Sequence, residues 1–201
     1  MNKGTTEPTR AYEMKARAEA AAATGERVLA AAWQHFARRP YAEVRLADIA
    51  RAAQVTVQTL HDRFGTKDEL FVAAFGWFGT NEGARRDIVP VGDVRAGVRA
   101  LFDSYERDGA SVLRLMAEED RFPSVRRMID SGRAYHRAWV SRVFKPMLDG
   151  LSRAARERRL IELTVATDLL VWKLLRRDMK LSRNAAERIV IEMVTTLEGI
   201  R

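Results

Sequence analysis

The side chains with the most chemistry to offer are few and scattered. His35, His61 and His136 are the three histidines, and they stand too far apart to share metal-ligand spacing. The chain has no cysteine, which excludes disulfides, thiolate zinc sites and cysteine nucleophiles. Glu118, Glu119 and Asp120 read as an ordinary acidic cluster on a solvated face. Serine, histidine and aspartate occur without a nucleophile motif, and there is no glycine-rich phosphate loop. Catalysis is therefore not expected, nor is a cofactor or a bound metal. What remains is recognition. Within one short stretch stand Thr56, Val57, Gln58, Thr59, His61 and Arg63, with Arg45 before it and Lys67 after it.

For such residues to act together, the backbone must turn several of them to one side. Residues 46–64 read Leu46-Ala-Asp-Ile-Ala-Arg-Ala-Ala-Gln-Val-Thr-Val-Gln-Thr-Leu-His-Asp-Arg-Phe64. The pattern predicts a helix from about Leu46 to Ala53 and another from Thr56 to about Arg63, joined by a tight turn. Ile49, Val55 and Leu60 fill the wedge between them, and Ala50 sits where the two helices approach. Thr56 can cap the second helix. Val57, Gln58 and His61 then point away from the wedge. A helix-turn-helix inserts this N-terminal part of its second helix into the major groove.

Flanking elements complete the unit. Thr24 suits the N-cap of a first helix, in which Leu29, Ala32, Trp33 and Phe36 make one apolar face and which Arg38-Arg39-Pro40 ends. Lys67 opens a fourth helix with a stripe of Leu70, Phe71, Ala74, Phe75 and Phe78.

The helix-turn-helix spacing, followed by Phe64-Gly-Thr-Lys-Asp-Glu-Leu-Phe71, resembles the TetR family of bacterial regulators over roughly residues 25–78. The segment from Trp172 to Ser182 and the final helix also look like that family's C-terminal pair. The chain departs from the family at four places. Gln54 stands where the turn often has glycine, which makes a left-handed backbone there cost about 1–2 kcal/mol. Arg45 replaces a threonine, His61 a tyrosine and Arg63 a histidine. Carried over by position, the resemblance implies base-edge contacts from Gln58 and His61, with Val57 available for a thymine methyl. It implies phosphate contacts from Thr56, Thr59, Arg63 and Lys67, with Arg45 in the same DNA-binding set.

Composition fits an all-α protein of about nine helices: 47% of residues are hydrophobic, and there are 12 glycines and 5 prolines. The net charge is +8, yet only +1 falls in residues 24–71, against +1 in residues 1–23 and +6 beyond, so overall charge does not locate the site. No run of about 18 apolar residues is long enough for a transmembrane helix. Residues 1–23 lack the apolar core of a signal peptide. A cytoplasmic protein without a membrane partner is expected.

The expected organisation is a tail over 1–23, mobile or extending the first helix, a DNA-binding domain with its linking helix over 24–80, and a ligand-binding and dimerisation domain over 81–201. Loop chemistry is read over Asn81–Gly92, a helix end at Asp108-Gly109, a break at Pro146, and one continuous apolar helix from Leu163 to Leu175. The resemblance implies a homodimer reading a palindromic operator, with a four-helix bundle built from the last two helices of each chain. Candidate interface residues are Leu170, Leu174, Ile189, Val190, Met193 and Leu197. It further implies a small-molecule effector among the middle helices, coupled to DNA release through the fourth helix, and a repressor role. Candidates for a largely apolar effector site are Phe102, Tyr105, Met116, Met128, Tyr135, His136, Trp139, Phe144 and Trp172. His136 is read either as a core histidine or as a ligand-orienting group. The alternative regulator answers to a protein partner and has no small ligand.

Overall fold

The computed structural model describes residues 10–199, and these form helices joined by short turns, with no strand among them. The chain divides between Phe78 and Gly79 into two compact units.

In the first unit, α1 (Arg10–Arg38) is followed by a single 3-10 turn (Tyr41–Glu43), α2 (Leu46–Ala52), α3 (Val57–Phe64) and the start of α4 (Lys67–Asp87). Helix α1 begins well before Thr24. The Thr24 hydroxyl donates to the Ala20 carbonyl one turn back (2.9 Å), so this residue is helix interior and not a cap. Alanine, glutamate, lysine and arginine between Arg10 and Ala23 have high helix propensity, which carries the helix through a segment with no apolar stripe. Residues 1–9 of the expected tail lie outside the described residues.

Burial in this unit follows the apolar faces. Phe36 and Phe71 are fully buried and meet edge to face at 4.8 Å, with Tyr41 beside both. Trp33 stacks on Phe78 at 4.1 Å. Removing such a side chain from water contributes about 1.5–3 kcal/mol each. Ile49, Ala50, Ala53 and Leu60 close the wedge between α2 and α3.

In the second unit, the rest of α4 is followed by α5 (Val94–Met116), α6 (Pro123–Val143), α7 (Arg153–Ala166), α8 (Leu169–Lys173) and α9 (Arg183–Gly199). Helix α5 packs against α6, α8 and α9, and α7 packs against α6 and α9. The core holds Leu101, Phe102, Trp139, Phe144, Leu163 and Trp172.

Three expectations for this unit are corrected. Helix α4 continues through Asn81 and Gly83 to Asp87, where the turn-forming residues predict a loop. Glu82 and Arg86, four residues apart, make a buried ion pair at 3.1 Å inside that segment. Helix α5 does not end at Asp108-Gly109. Gly109 is buried mid-helix, and a Cβ there would stand 2.9 Å from Trp172 Cζ3 and 3.0 Å from Leu169 Cδ1. Its glycine is a packing notch. The apolar stretch from Leu163 to Leu175 is two helices, because Asp168 leaves helical geometry (φ −70°, ψ 152°) and its carboxylate caps α8 at Leu170 N (2.8 Å). The chain then runs through a π-helical turn (Leu174–Asp178) and a left-handed Lys180 (φ 57°) to Ser182, whose hydroxyl accepts from Ala185 N at the head of α9. Helix α6 does stop short of Pro146, giving way to a 3-10 turn over Lys145–Met147.

Candidate nucleic-acid interface

Helix α3 is built to present one face. Thr56 has extended backbone (φ −85°, ψ 158°) and its hydroxyl accepts from Thr59 N at 3.0 Å, satisfying a first-turn donor. The turn before it puts Gln54 in the left-handed region (φ 57°), as the helix-turn-helix pattern requires, and Val55 N donates to Ala50 O at 3.0 Å. Leu60 is 1% exposed and anchors the inner face. Val57, Gln58, His61 and Asp62 are exposed. Residues three and four apart share a helix face, so His61 lies beside both Val57 and Gln58.

Two of these side chains are held by neighbours. Gln58 Nε2 donates to Asp62 Oδ1 at 2.6 Å. His61 Nδ1 lies 3.0 Å from the Gly65 carbonyl, while Gly65 N donates to His61 O at 2.9 Å. Gly65 is left-handed (φ 72°), which turns its carbonyl toward the ring.

The two cations expected at phosphate are engaged within the fold. Arg63 Nη1 donates to the Ala21 carbonyl of α1 at 2.7 Å, and its guanidinium packs where Gly25 leaves room. Lys67 Nζ donates to Tyr41 O (2.5 Å) and Ala42 O (3.4 Å) and stands 4.6 Å from the Tyr41 ring centre. An ammonium or guanidinium on a backbone carbonyl secures neighbouring elements, so both cations brace the fold beside α3. Arg45 is exposed at the N-cap of α2 and lines a surface depression of about 530 Å³ with Arg39, Ala42, Glu43 and Asp48.

Sequence reasoning missed four positioning residues. Asp62 holds Gln58, and its place four residues on was a readable signal. Tyr41 holds Lys67, with no local signal. Thr66 and Glu69 form a capping box at the head of α4: Thr66 N donates to Glu69 Oε2 (2.7 Å) and Glu69 N to Thr66 Oγ1 (3.2 Å). The Thr66 N–H and then its hydroxyl, which donates to the same Glu69 Oε2 at 2.9 Å, hold the Glu69 carboxyl below its usual range. The Thr-x-x-Glu spacing announces this box.

In the second unit, Phe102, Tyr105, Trp139, Phe144 and Trp172 join one core, and Met128 is also buried. Met116 is half-buried, and Tyr135 is 37% exposed. His136 is 8% exposed and its Nε2 lies 3.2 Å from Thr167 Oγ1. That hydroxyl donates to Leu163 O, so the ring nitrogen donates to it. Tyr105 OH donates to Thr167 O (2.9 Å). Burial, then the nearby Arg86 charge, lower the His136 pKa to about 4. Arg86 was not anticipated. It is buried against Glu82 and Ser104, with its guanidinium carbon 5.6–6.0 Å from the ring centres of Tyr105, Tyr135 and Trp139.

Of the candidate interface residues, Leu170, Leu174 and Met193 are exposed, and Ile189 and Leu197 are half-buried. Val190 is 2% exposed and belongs to the core, which removes it from any surface. Ile161 and Val165, one turn apart on α7, are exposed apolar residues that sequence reading passed over.

A short helix fixed at both ends, with its apolar side in a two-helix wedge and its polar side outward, defines the class: a helix-turn-helix DNA-binding domain. Residues 28–74 match the model of the family described as bacterial regulatory proteins, tetR family. Those residues, the helix-turn-helix with its flanking helices, are accordingly similar to that family's DNA-binding domain. Among solved structures, a transcriptional regulator from Rhodococcus sp. Rha1 is similar in fold, with a TM-score of 0.65 and 19% identity over 86% of this chain and 94% of that one. No curated protein matches the chain. No described helix is long and apolar enough to cross a membrane, and no cluster of metal-ligating side chains occurs among the described residues.

Proposed function

We propose that this regulator is a cytoplasmic, non-enzymatic repressor that binds a palindromic operator as a homodimer and is released by a small, largely apolar effector. The carrying observation is the outward face of α3, where Val57, Gln58 and His61 are exposed while Leu60 is buried beneath them. Gln58 and His61 read base edges, and Thr56 and Thr59 contact phosphate.

One recognition helix reads too few bases, which calls for a two-fold pair. Leu170 of α8 and Leu174 at the start of the following π-helical turn lie four residues apart, and Ile189, Met193 and Leu197 share a face of α9. These faces expose apolar surface that a second copy would cover. For the effector, support comes from His136. Its Nδ1 is buried with no hydrogen-bond partner among the described residues and offers one polar anchor for a ligand. Effector binding is relayed to DNA along α4.

Selection of bound duplexes from a random pool, repeated with candidate apolar ligands, tests this reading. A two-fold symmetric motif lost on addition of one ligand class is the expected result. An unenriched pool overturns the DNA-reading role.

A further inference from the structure

The contacts around α3 specify more than a DNA-facing helix. A backbone carbonyl can only accept a hydrogen bond. The Gly65 carbonyl, 3.0 Å from His61 Nδ1, therefore requires the proton of the neutral ring to sit on Nδ1. Nε2 is then a bare acceptor at the outer end of an exposed side chain. The arrangement is constrained on both sides. Gly65 is pinned by its own N–H to His61 O at 2.9 Å. Its left-handed backbone also admits no side chain, since a Cβ would fall 2.3 Å from Glu69 Oε2 of the capping box.

The neighbouring groups have the same character. Asp62 adds a carboxylate beside Gln58 and occupies one of that amide's hydrogens at 2.6 Å. Arg63 is the one arginine or lysine in the sequence of α3, and it is directed back onto Ala21 O of α1. The face thus lacks the arginine or lysine fork that most often reads guanine.

We infer that His61 is a specificity-determining residue that selects adenine or cytosine at one position of each half-site, through their exocyclic amino groups. In the major groove adenine N6 and cytosine N4 carry hydrogens that a bare nitrogen can accept. Guanine offers N7 and O6, and thymine O4, all acceptors. Guanine or thymine under His61 sets acceptor against acceptor. This inference rests on α3 being the DNA-contacting helix, as proposed above.

The test uses the full chain and a pool of synthetic duplexes at pH 8. The wild type should enrich a symmetric motif with one position favouring adenine or cytosine, and guanine there should weaken binding about five- to tenfold. His61→Leu should flatten that position and leave the others. His61→Arg should convert it to guanine. Both changes are at an exposed position, and far-UV circular dichroism checks that the helices persist. A symmetric motif that His61→Leu leaves unchanged, or a wild-type preference for guanine at the affected position, overturns this inference and leaves the DNA-reading role standing. A pool with no symmetric motif overturns both.

Discussion

Acidification should destabilise the fold through one buried histidine of the second unit. His136 is buried on α6 and neutral in the fold, donating from Nε2 to Thr167, with burial and then Arg86 disfavouring its protonated form. Its pKa falls from an ordinary 6.5 to about 4. The unfolded chain therefore binds a proton in the window between those values while the native chain does not. Stability rises with pH wherever the unfolded state holds more protons, so it is complete above about pH 6.5 and is lost as pH drops toward 4. Each pH unit of difference is worth about 1.4 kcal/mol, which makes the whole effect about 3 kcal/mol, with about 2 kcal/mol lost between pH 7 and pH 5. His35 adds to the same trend, since burial and then Arg39 lower its pKa too. Carboxylates titrate mostly below this window. The assay is urea unfolding followed by circular dichroism at pH 7, 6 and 5, on the wild type and on His136→Gln. The wild type should lose about 2 kcal/mol more than the variant over that range. Parallel losses in the two proteins would show that His136 is not the buried neutral group described.

Three further substitutions separate structural roles from surface roles. Gly109→Ala places a methyl 2.9 Å from Trp172, and overpacking of about 1–3 kcal/mol should outweigh the roughly 1 kcal/mol of helix propensity gained; a urea midpoint that rises instead refutes the packing notch. Lys67→Ala should cost about 1–2 kcal/mol of stability, from the lost bonds to Tyr41 and Ala42, and leave the salt dependence of DNA binding unchanged; a salt slope smaller by about one would restore it to phosphate. Leu174→Glu, at a position 51% exposed, should convert a dimer to a monomer by sedimentation, and an unchanged mass would place the interface elsewhere.

The helix-turn-helix was legible because its determinants are local. Thr56 caps its own helix, Leu60 and Ile49 lie within the same wedge, and the Gln54 turn is fixed by bonds to residues nearby. Features decided by distant partners were not. Gly109 reads as a helix end until Trp172 and Leu169 are known to lie against it. Lys67 reads as a phosphate ligand because nothing nearby in sequence reveals the Tyr41 carbonyl, and Arg63 hides its partner on α1 in the same way. Val190 fits an apolar stripe at helical spacing, but the stripe on α9 is wider than the surface it leaves, and its centre is core. Periodicity identifies an apolar face without saying which partner covers which part of it.

The cations of the first unit sort by what holds them, and this bears on how the protein would grip DNA. Lys67 is half-buried on carbonyls and an aromatic ring, so moving it to phosphate would sacrifice contacts made in a partly dry setting. Arg39 and Arg51 instead share the carboxylate of Asp48 at 3.1 and 3.3 Å, on the surface. Exposed bridges of this kind contribute about 0–1 kcal/mol and are readily exchanged for a phosphate. Arg45 is exposed beside them at the head of α2. With α3 supplying mainly acceptors, the counterion-releasing contacts should come from this α2 cluster, and specificity from α3. Arg45→Ala should then weaken binding to all duplexes alike and lower the salt slope by about one, with the selected motif unchanged. A changed motif with an unchanged slope would mean that Arg45 reads bases, and the division of labour between α2 and α3 would have to be reversed.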